Sequence, residues 1–245
     1  MGVLIAVEGI DGAGKTTQVQ LLGEALRAAG EDPVLSKEPT NGRYGKKIRQ
    51  SAQNGRMPLE KELETFIKDR RDHDQRTITP SLEAGKIVIL DRYFYSTIAY
   101  QGARGADREE LRRQMAEFPL PDVVFLLDAD PSITIPRITN GRQEEPNEFE
   151  QFDQLQAVRD VFTWLATVDE RICKVDARQS IQAVFQQIAT VLVDGVLRQY
   201  QAKSYGCDDC WPGTCSFGAT DTCQWLKIRG ALLAPSRHQR LLATG

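Results

Sequence analysis

The sequence predicts an α/β fold in three layers, a five-stranded parallel sheet covered by helices on both faces. Short continuous apolar runs at 3–7, 86–90 and 123–127 alternate with longer amphipathic stretches. Strands without polar alternation are buried on both faces, as parallel strands are. A glycine-rich segment, GIDGAGKT at 9–16, lies between the first apolar run and the first helical pattern. In such sheets ligands bind beyond the carboxyl ends of the strands.

Taken in order, VLIAV (3–7) reads as a buried strand. Thr16 to Ala28 reads as a helix with Val19, Leu22, Ala25 and Leu26 on one face. Pro33 to Ser36 is a short second strand, and Leu59 to Glu83 is mostly helical with a bend near Pro80. KIVIL (86–90), VVFLL (123–127) and ICKVD (172–176) complete the strands. Helical patterns fill 109–118, 149–169 and 179–198. The polar segment 139–148, with Gly141 and Pro146, reads as a loop between two helices. From about Tyr200 the strand–helix rhythm stops, which sets an expected boundary: one α/β domain at 1–199 and a Cys-rich extension at 200–245.

Composition narrows the classes. Hydrophobic content of 41% and charged content of 27% over 245 residues suit an ordinary folded core. A net charge of −3 argues against a nucleic-acid polymer as the main partner. The opening MGVLIAVEGIDG has too short an apolar run for a signal peptide and no basic leader. No stretch approaches the roughly 20 apolar residues of a membrane span, so the expectation is a cytoplasmic protein off the membrane. Of five cysteines, Cys173 stands alone, while Cys207, Cys210, Cys215 and Cys223 cluster. Their spacing, C-x2-C-x4-C-x7-C, raises a zinc site, with an iron–sulfur cluster and a reduced tail as the alternatives.

Residues 9–16 match GxxxxGK[ST] between a predicted strand and a predicted helix, the context that motif requires. Backbone N–H groups of Gly9, Ile10, Asp11, Gly12, Ala13 and Gly14 would line a concave site for ATP phosphates. Lys15 would reach the β- and γ-phosphates, Thr16 would place its hydroxyl on Mg²⁺, and Thr17 would follow into the site. The plain alternative is a chance glycine-rich turn. The loop leaves the acceptor undecided, because GTPases, ATPases and small-molecule kinases share it.

Three segments speak to the acceptor. In DRYFYSTIAYQG (91–102), Asp91 ends a strand, where it can hold Mg²⁺, and Arg92 can grip a phosphate bidentately. In FIKDRRDH (66–73), Phe66, Asp69, Arg70 and His73 share one helix face, and an aromatic ring beside a guanidinium can stack a base and bond its edge. KEPTNGRYGKKIR (37–49) carries Glu38, Arg43 and Arg49. The bland readings are core packing for Phe66 and Tyr100, a solvated face for Arg70 and Arg71, and a turn residue for Glu38. His73 reads as structural, and Tyr93 and Tyr95 as packing.

These segments, with PDVVFLLDADP (121–131), fall in the order and spacing of thymidylate kinases. The chain resembles that family over about residues 3–195, and the DRY…S…AYQ run carries the resemblance most specifically. It implies a P-loop nucleoside monophosphate kinase fold, usually dimeric, that phosphorylates thymidine monophosphate (dTMP) with ATP and Mg²⁺. By that resemblance Asp11 would approach the sugar 3′-hydroxyl and the transferred group. Phe66 would stack on thymine and Arg70 bond its edge, with Glu38 on the same acceptor side. Arg92, with Arg49, would hold the acceptor phosphate, Thr97 and Gln101 would contact the base, and Tyr100 would disfavour a ribose 2′-hydroxyl.

The sequence also departs from that pattern. Lys37 stands where the family often has arginine, and Gly12 where some members place a catalytic arginine. A short lid at 137–150 would then supply Arg137 to ATP and Arg142 to the reaction. Asn147-Glu148 replaces an expected Asp-Arg, and Glu144, Glu145 and Glu148 crowd the segment. Two rivals therefore stand beside the dTMP kinase: a kinase for a nucleoside or another monophosphate, with Glu38 as base, and a non-catalytic nucleotide sensor.

Overall fold

The computed structural model describes residues 2–142, 151–205 and 224–234. In chain order the first elements are β1 (Val3–Glu8), α1 (Lys15–Ala28), β2 (Val34–Lys37), α2 (Arg43–Gln53) and α3 (Leu59–His73). A π-helical turn, Asp74–Ile78, leads into α4 (Thr79–Glu83), β3 (Ile87–Asp91), α5 (Phe94–Gly102) and α6 (Arg108–Met115). Then come β4 (Val123–Asp128), α7 (Pro131–Arg142), α8 (Phe152–Val168), β5 (Ile172–Asp176), α9 (Ile181–Asp194), α10 (Val196–Tyr205) and α11 (Gln224–Leu233).

The five strands form one parallel sheet in the order β2-β3-β1-β4-β5. β1 and β3, near the centre, are buried along their whole length, as their uninterrupted apolar sequences require. Asp91 pairs in register with Val7 on one side and Lys37 on the other, so three strands end level. That shared carboxyl edge is where the loops converge. Leu22 and Leu26 of α1 are fully buried, each stabilising the fold by roughly 1.5–3 kcal/mol relative to exposure.

Five differences from the sequence reading have local causes. The segment after β2 contains a helix, α2, in which only Gly45 and Ile48 are buried, so its apolar stripe is too thin to read. The irregularity expected near Pro80 lies upstream at Asp74–Ile78. Proline has no N–H and crowds the carbonyl four residues back, so the widened turn precedes it. Residues 139–142, expected in a loop, continue α7, which runs through Pro136. The helix expected at 179–198 is two, because the chain turns at Gly195 (φ −116°, ψ −107°). Finally, α10 runs through position 200, where a boundary was expected.

The last helix returns to the body of the protein. Trp225, Ile228 and Leu232 of α11 are buried in the core cluster that also holds Leu22 and Ile188. Gln224 Nε2 donates to the carbonyl of Ala29, at the end of α1 away from the glycine-rich loop. Tyr200 donates to the carbonyl of Gly85, just before β3. The four clustered cysteines lie outside the described residues.

Candidate active site

The loop between β1 and α1 turns through three glycines with positive φ: Gly9 (140°), Gly12 (77°) and Gly14 (97°). At Gly14, the residue that opens α1, a side chain would be strained in this left-handed conformation. Gly12 is confined as well, since a Cβ there would lie 2.4 Å from the carbonyl oxygen of Thr134 on α7. An arginine cannot occupy this position without moving α7. Ile10 and Ala13 turn their side chains into the core. The Ile10 carbonyl accepts from Lys15 Nζ at 2.7 Å. Lys15 is 6% exposed. Burial, with Arg92 nearby, lowers its pKa to about 8, against the pull of Asp11 and Asp91.

Thr16 Oγ1 donates to Asp91 Oδ2 at 2.5 Å. The two oxygens expected to share Mg²⁺ are thus already together at the end of β3. Arg92 follows in a left-handed conformation, φ 70°. For a residue with a Cβ this is a strained state that surrounding contacts must hold. Its Nη2 donates to Asp11 Oδ1 at 2.6 Å and its Nη1 to Ser96 Oγ at 3.0 Å. Tyr100 donates to Asp11 Oδ2 at 2.8 Å, and the Arg92 guanidinium lies over the Tyr100 ring. Desolvation in the cleft works against the Asp11 charge, but Arg92 and Lys15 outweigh it and hold the carboxyl at about 2. Burial raises the Tyr100 phenol.

A second group of side chains lies across α3 and α5. Arg70 is almost wholly buried. Its Nε and Nη2 donate to Glu38 Oε2 at 2.8 and 2.6 Å, and Nη2 also donates to Thr97 Oγ1 at 2.9 Å. His73 bridges Glu38 Oε1 (3.0 Å) and Ser36 Oγ (2.8 Å), a structural placement. Burial opposes the Glu38 charge, yet Arg70 and His73 keep its carboxyl below its usual range. Arg70 and His73 thus engage both carboxylate oxygens of Glu38. Asp69 caps the loop after β2 through the N–H and hydroxyl of Thr40.

One cavity of about 1100 Å³ joins both groups. Lys15, Thr16, Thr17 and Asp91 line its phosphate end, and Phe66, Arg70, Arg92, Thr97 and Tyr100 its other side. Arg137 also faces it, donating to the carbonyl of Ala177 at 3.1 Å. Two expected residues are placed differently. Arg49 lines the cavity, but its guanidinium is taken up by the carbonyls of Pro39 and Thr40. Gln101 is fully buried and donates to Glu62, outside the cavity lining. Arg142 ends α7, its side chain beyond the described residues, as are Glu144, Glu145 and Glu148.

Glu8 was not legible as a site residue. It ends β1, is fully buried, and accepts from Tyr93 N (2.7 Å), Ser96 N (3.2 Å) and Ser96 Oγ (2.5 Å). Burial pushes its carboxyl up to about 7, against the Ser96 hydroxyl and Arg92. The available signal was a lone acid closing an apolar strand, VLIAVE, directly before the glycine loop.

Comparison with known proteins agrees with this geometry. A family model described as Thymidylate kinase matches residues 7–188. The thymidylate kinase of Xanthomonas euvesicatoria pv. vesicatoria (strain 85-10) is 47% identical over 192 residues, covering 78% of this chain and 84% of that protein. That of Xanthomonas oryzae pv. oryzae (strain PXO99A) is also 47% identical, covering 78% and 83%. That of Xylella fastidiosa (strain M12) is 45% identical over 197 residues, covering 80% and 89%. Similarity running through the sheet, the glycine loop and the helices of the cavity wall means that the chain belongs to the thymidylate kinase family.

Proposed function

We propose that this protein transfers the γ-phosphoryl group of ATP to dTMP, giving thymidine diphosphate. The observation that carries this reading is the single cavity in which a phosphate loop faces Arg92 and a pocket walled by Phe66, Arg70, Thr97 and Tyr100. Family membership supports the same acceptor.

Phosphoryl transfer asks the protein for positioning and charge neutralisation. In this reading the loop N–H groups of Gly9–Gly14 and Lys15 take the ATP phosphates, and Arg137 takes the nucleotide from the α7 side. Arg142 would add charge at the reaction centre. Arg92 holds the dTMP phosphate in line, with Arg49 turning from its carbonyl partners to join it. Phe66 stacks the base, Arg70 and Thr97 read its edge with Glu38 fixing Arg70, and Gln101 supports that wall. Asp11 and Tyr100 meet the sugar.

Thr16 and Asp91 offer two adjacent hard oxygen donors, which fits Mg²⁺ completed by phosphate oxygens and water. Mg²⁺ there would neutralise phosphate charge. Among the described residues no three His, Cys, Asp or Glu side chains gather to hold a metal on their own. A zinc ion on Cys207, Cys210, Cys215 and Cys223 is a separate proposal resting on spacing, tested by metal analysis of the purified protein. Catalysis is assigned to 1–199, with 200–245 as a Cys-rich extension. A cytoplasmic homodimer is part of the reading, the dimer resting on resemblance alone. No helix among the described residues is long and apolar enough to cross a membrane.

The engagement of Glu38 by Arg70 and His73 counts against a nucleoside kinase that would use it as base. Coupled ADP release across nucleosides and monophosphates tests the proposal, with dTMP expected to be the best acceptor. Preference for thymidine would favour the nucleoside kinase. Absence of single-turnover transfer to any acceptor would favour the sensor.

A further inference from the structure

We infer that Glu8 is a positioning residue for the acceptor phosphate, its carboxylate fixing Ser96 and the start of α5 so that Arg92 faces the acceptor. The inference rests on the reading of Arg92 as the holder of the dTMP phosphate.

Glu8 is a fully buried acid, and among the described residues no lysine or arginine lies within ion-pair distance of it. Burying such a group is unfavourable unless hydrogen bonds satisfy it. Its partners all belong to one turn. Oε1 accepts from the N–H groups of Tyr93 and Ser96, and Oε2 accepts from the Ser96 hydroxyl. These N–H groups lie at the first turn of α5, where a helix N-terminus favours negative charge; the Ser96 N–H is shared between Glu8 and the Tyr93 carbonyl (3.1 Å). The strand thus caps the helix from outside.

The consequence reaches Arg92 by two routes. Ser96 gives its proton to Glu8, so its oxygen is free to accept from Arg92 Nη1 at 3.0 Å. The backbone on either side of the strained φ of 70° is also pinned: Arg92 N donates to the carbonyl of Val7 at 3.0 Å, and Tyr93 N to Glu8. Consecutive residues of β1 therefore hold consecutive residues of the Arg92 turn. Arg92 then spans Ser96 on one side and Asp11 on the other, with its guanidinium on the cavity wall. Glu8 is not among the residues that line the cavity, so it acts only through this relay.

The test separates phosphate recognition from folding. Binding of dTMP and of thymidine is measured by calorimetry for the wild type, Glu8→Gln and Ser96→Ala, with thermal unfolding of each. Thymidine lacks the group Arg92 reads. Each variant is expected to lower the preference for dTMP over thymidine by about tenfold, the size of one charge-assisted hydrogen bond, with thymidine affinity unchanged. Retained preference in cooperatively folded variants, or equal weakening of both ligands, overturns the inference. If Glu8→Gln does not fold, Ser96→Ala decides alone, because it cuts the relay and leaves the carboxylate in place. A wild type that does not favour dTMP over thymidine refutes the functional reading instead.

Discussion

Arg92 is held from several sides: it has a left-handed backbone, an ion pair with Asp11 and a hydrogen bond to Ser96. If it reads only the acceptor phosphate, Arg92→Ala should raise KM for dTMP by about 10- to 100-fold, the loss of a charged hydrogen bond, and leave KM for ATP nearly unchanged. Initial-rate kinetics with each substrate varied would show this, and equal effects on both would mean Arg92 is misplaced. Tyr100 carries a second prediction. Its ring lines the cavity beside Asp11, so a ribose 2′-hydroxyl packed on it would lose water without gaining a partner. That disfavours the ribonucleotide by roughly 1–3 kcal/mol. Tyr100→Ala should narrow the ratio of kcat/KM for dTMP over its ribose counterpart, whereas a ring that only packs would lower activity and leave the ratio alone. Lys15, Thr16, Asp91 and Arg92 could be read from sequence because their spacing is tied to a strand end and a helix start. Glu8 could not, because its partners, two backbone N–H groups and the Ser96 hydroxyl, are 85 or more residues away. Nor could the diversion of Arg49 to loop carbonyls, since only the folded loop brings them within reach.

Among the elements, the strands were legible because a buried parallel strand leaves no polar alternation, and ICKVD matches β5 residue for residue. Helix ends and breaks were harder. They depend on local backbone choices, such as the turn at Gly195 and the widened turn before Pro80, that barely disturb the pattern of apolar residues. The contact between the glycine loop and α7 was equally hidden, and it has a consequence. Gly12→Arg would seem to restore a loop arginine. Instead its Cβ meets the Thr134 carbonyl at 2.4 Å in a left-handed backbone. The variant should lose stability by about 1–3 kcal/mol and turnover should fall. Higher kcat at wild-type stability would show that α7 yields easily. Ile228 tests the docking of α11. Ile228→Ala should cost about 2–5 kcal/mol in a denaturant melt while both KM values stay at wild type, because the first residue of α11 is fixed at the far end of α1 from the loop. A change in either KM without loss of stability would mean that the C-terminal segment reaches the cavity.

Across the whole molecule, stability and catalysis compete at the carboxyl edge of the sheet. Glu8, Lys15 and Asp91 are buried where the strands end, apart from the buried polar group of Glu38, Glu62, Asp69, Arg70 and His73. Lys15 makes the conflict measurable. Its pKa falls from 10.5 to about 8 on folding, first through burial and then through Arg92. A lysine whose folded pKa is depressed destabilises the native state wherever the unfolded chain would hold the proton more tightly. The penalty is therefore complete below pH 8, shrinks as pH rises from 8 to 10.5, and vanishes above that window. A shift of this size corresponds to about 3 kcal/mol. Lys15→Met keeps the apolar stem and removes the charge. It should abolish phosphoryl transfer, since the loop's own cation no longer meets the β- and γ-phosphates, and raise unfolding free energy at pH 7 by an amount approaching that penalty. The gain should decline toward zero by pH 10.5. Urea melts of both proteins at pH 7, 9 and 10.5 would measure it, with transfer assayed in the same preparations. A methionine variant less stable than wild type at pH 7 would mean that the hydrogen bond from Lys15 to Ile10 outweighs the cost of burying the charge. In that case the loop is held by its lysine and not strained by it.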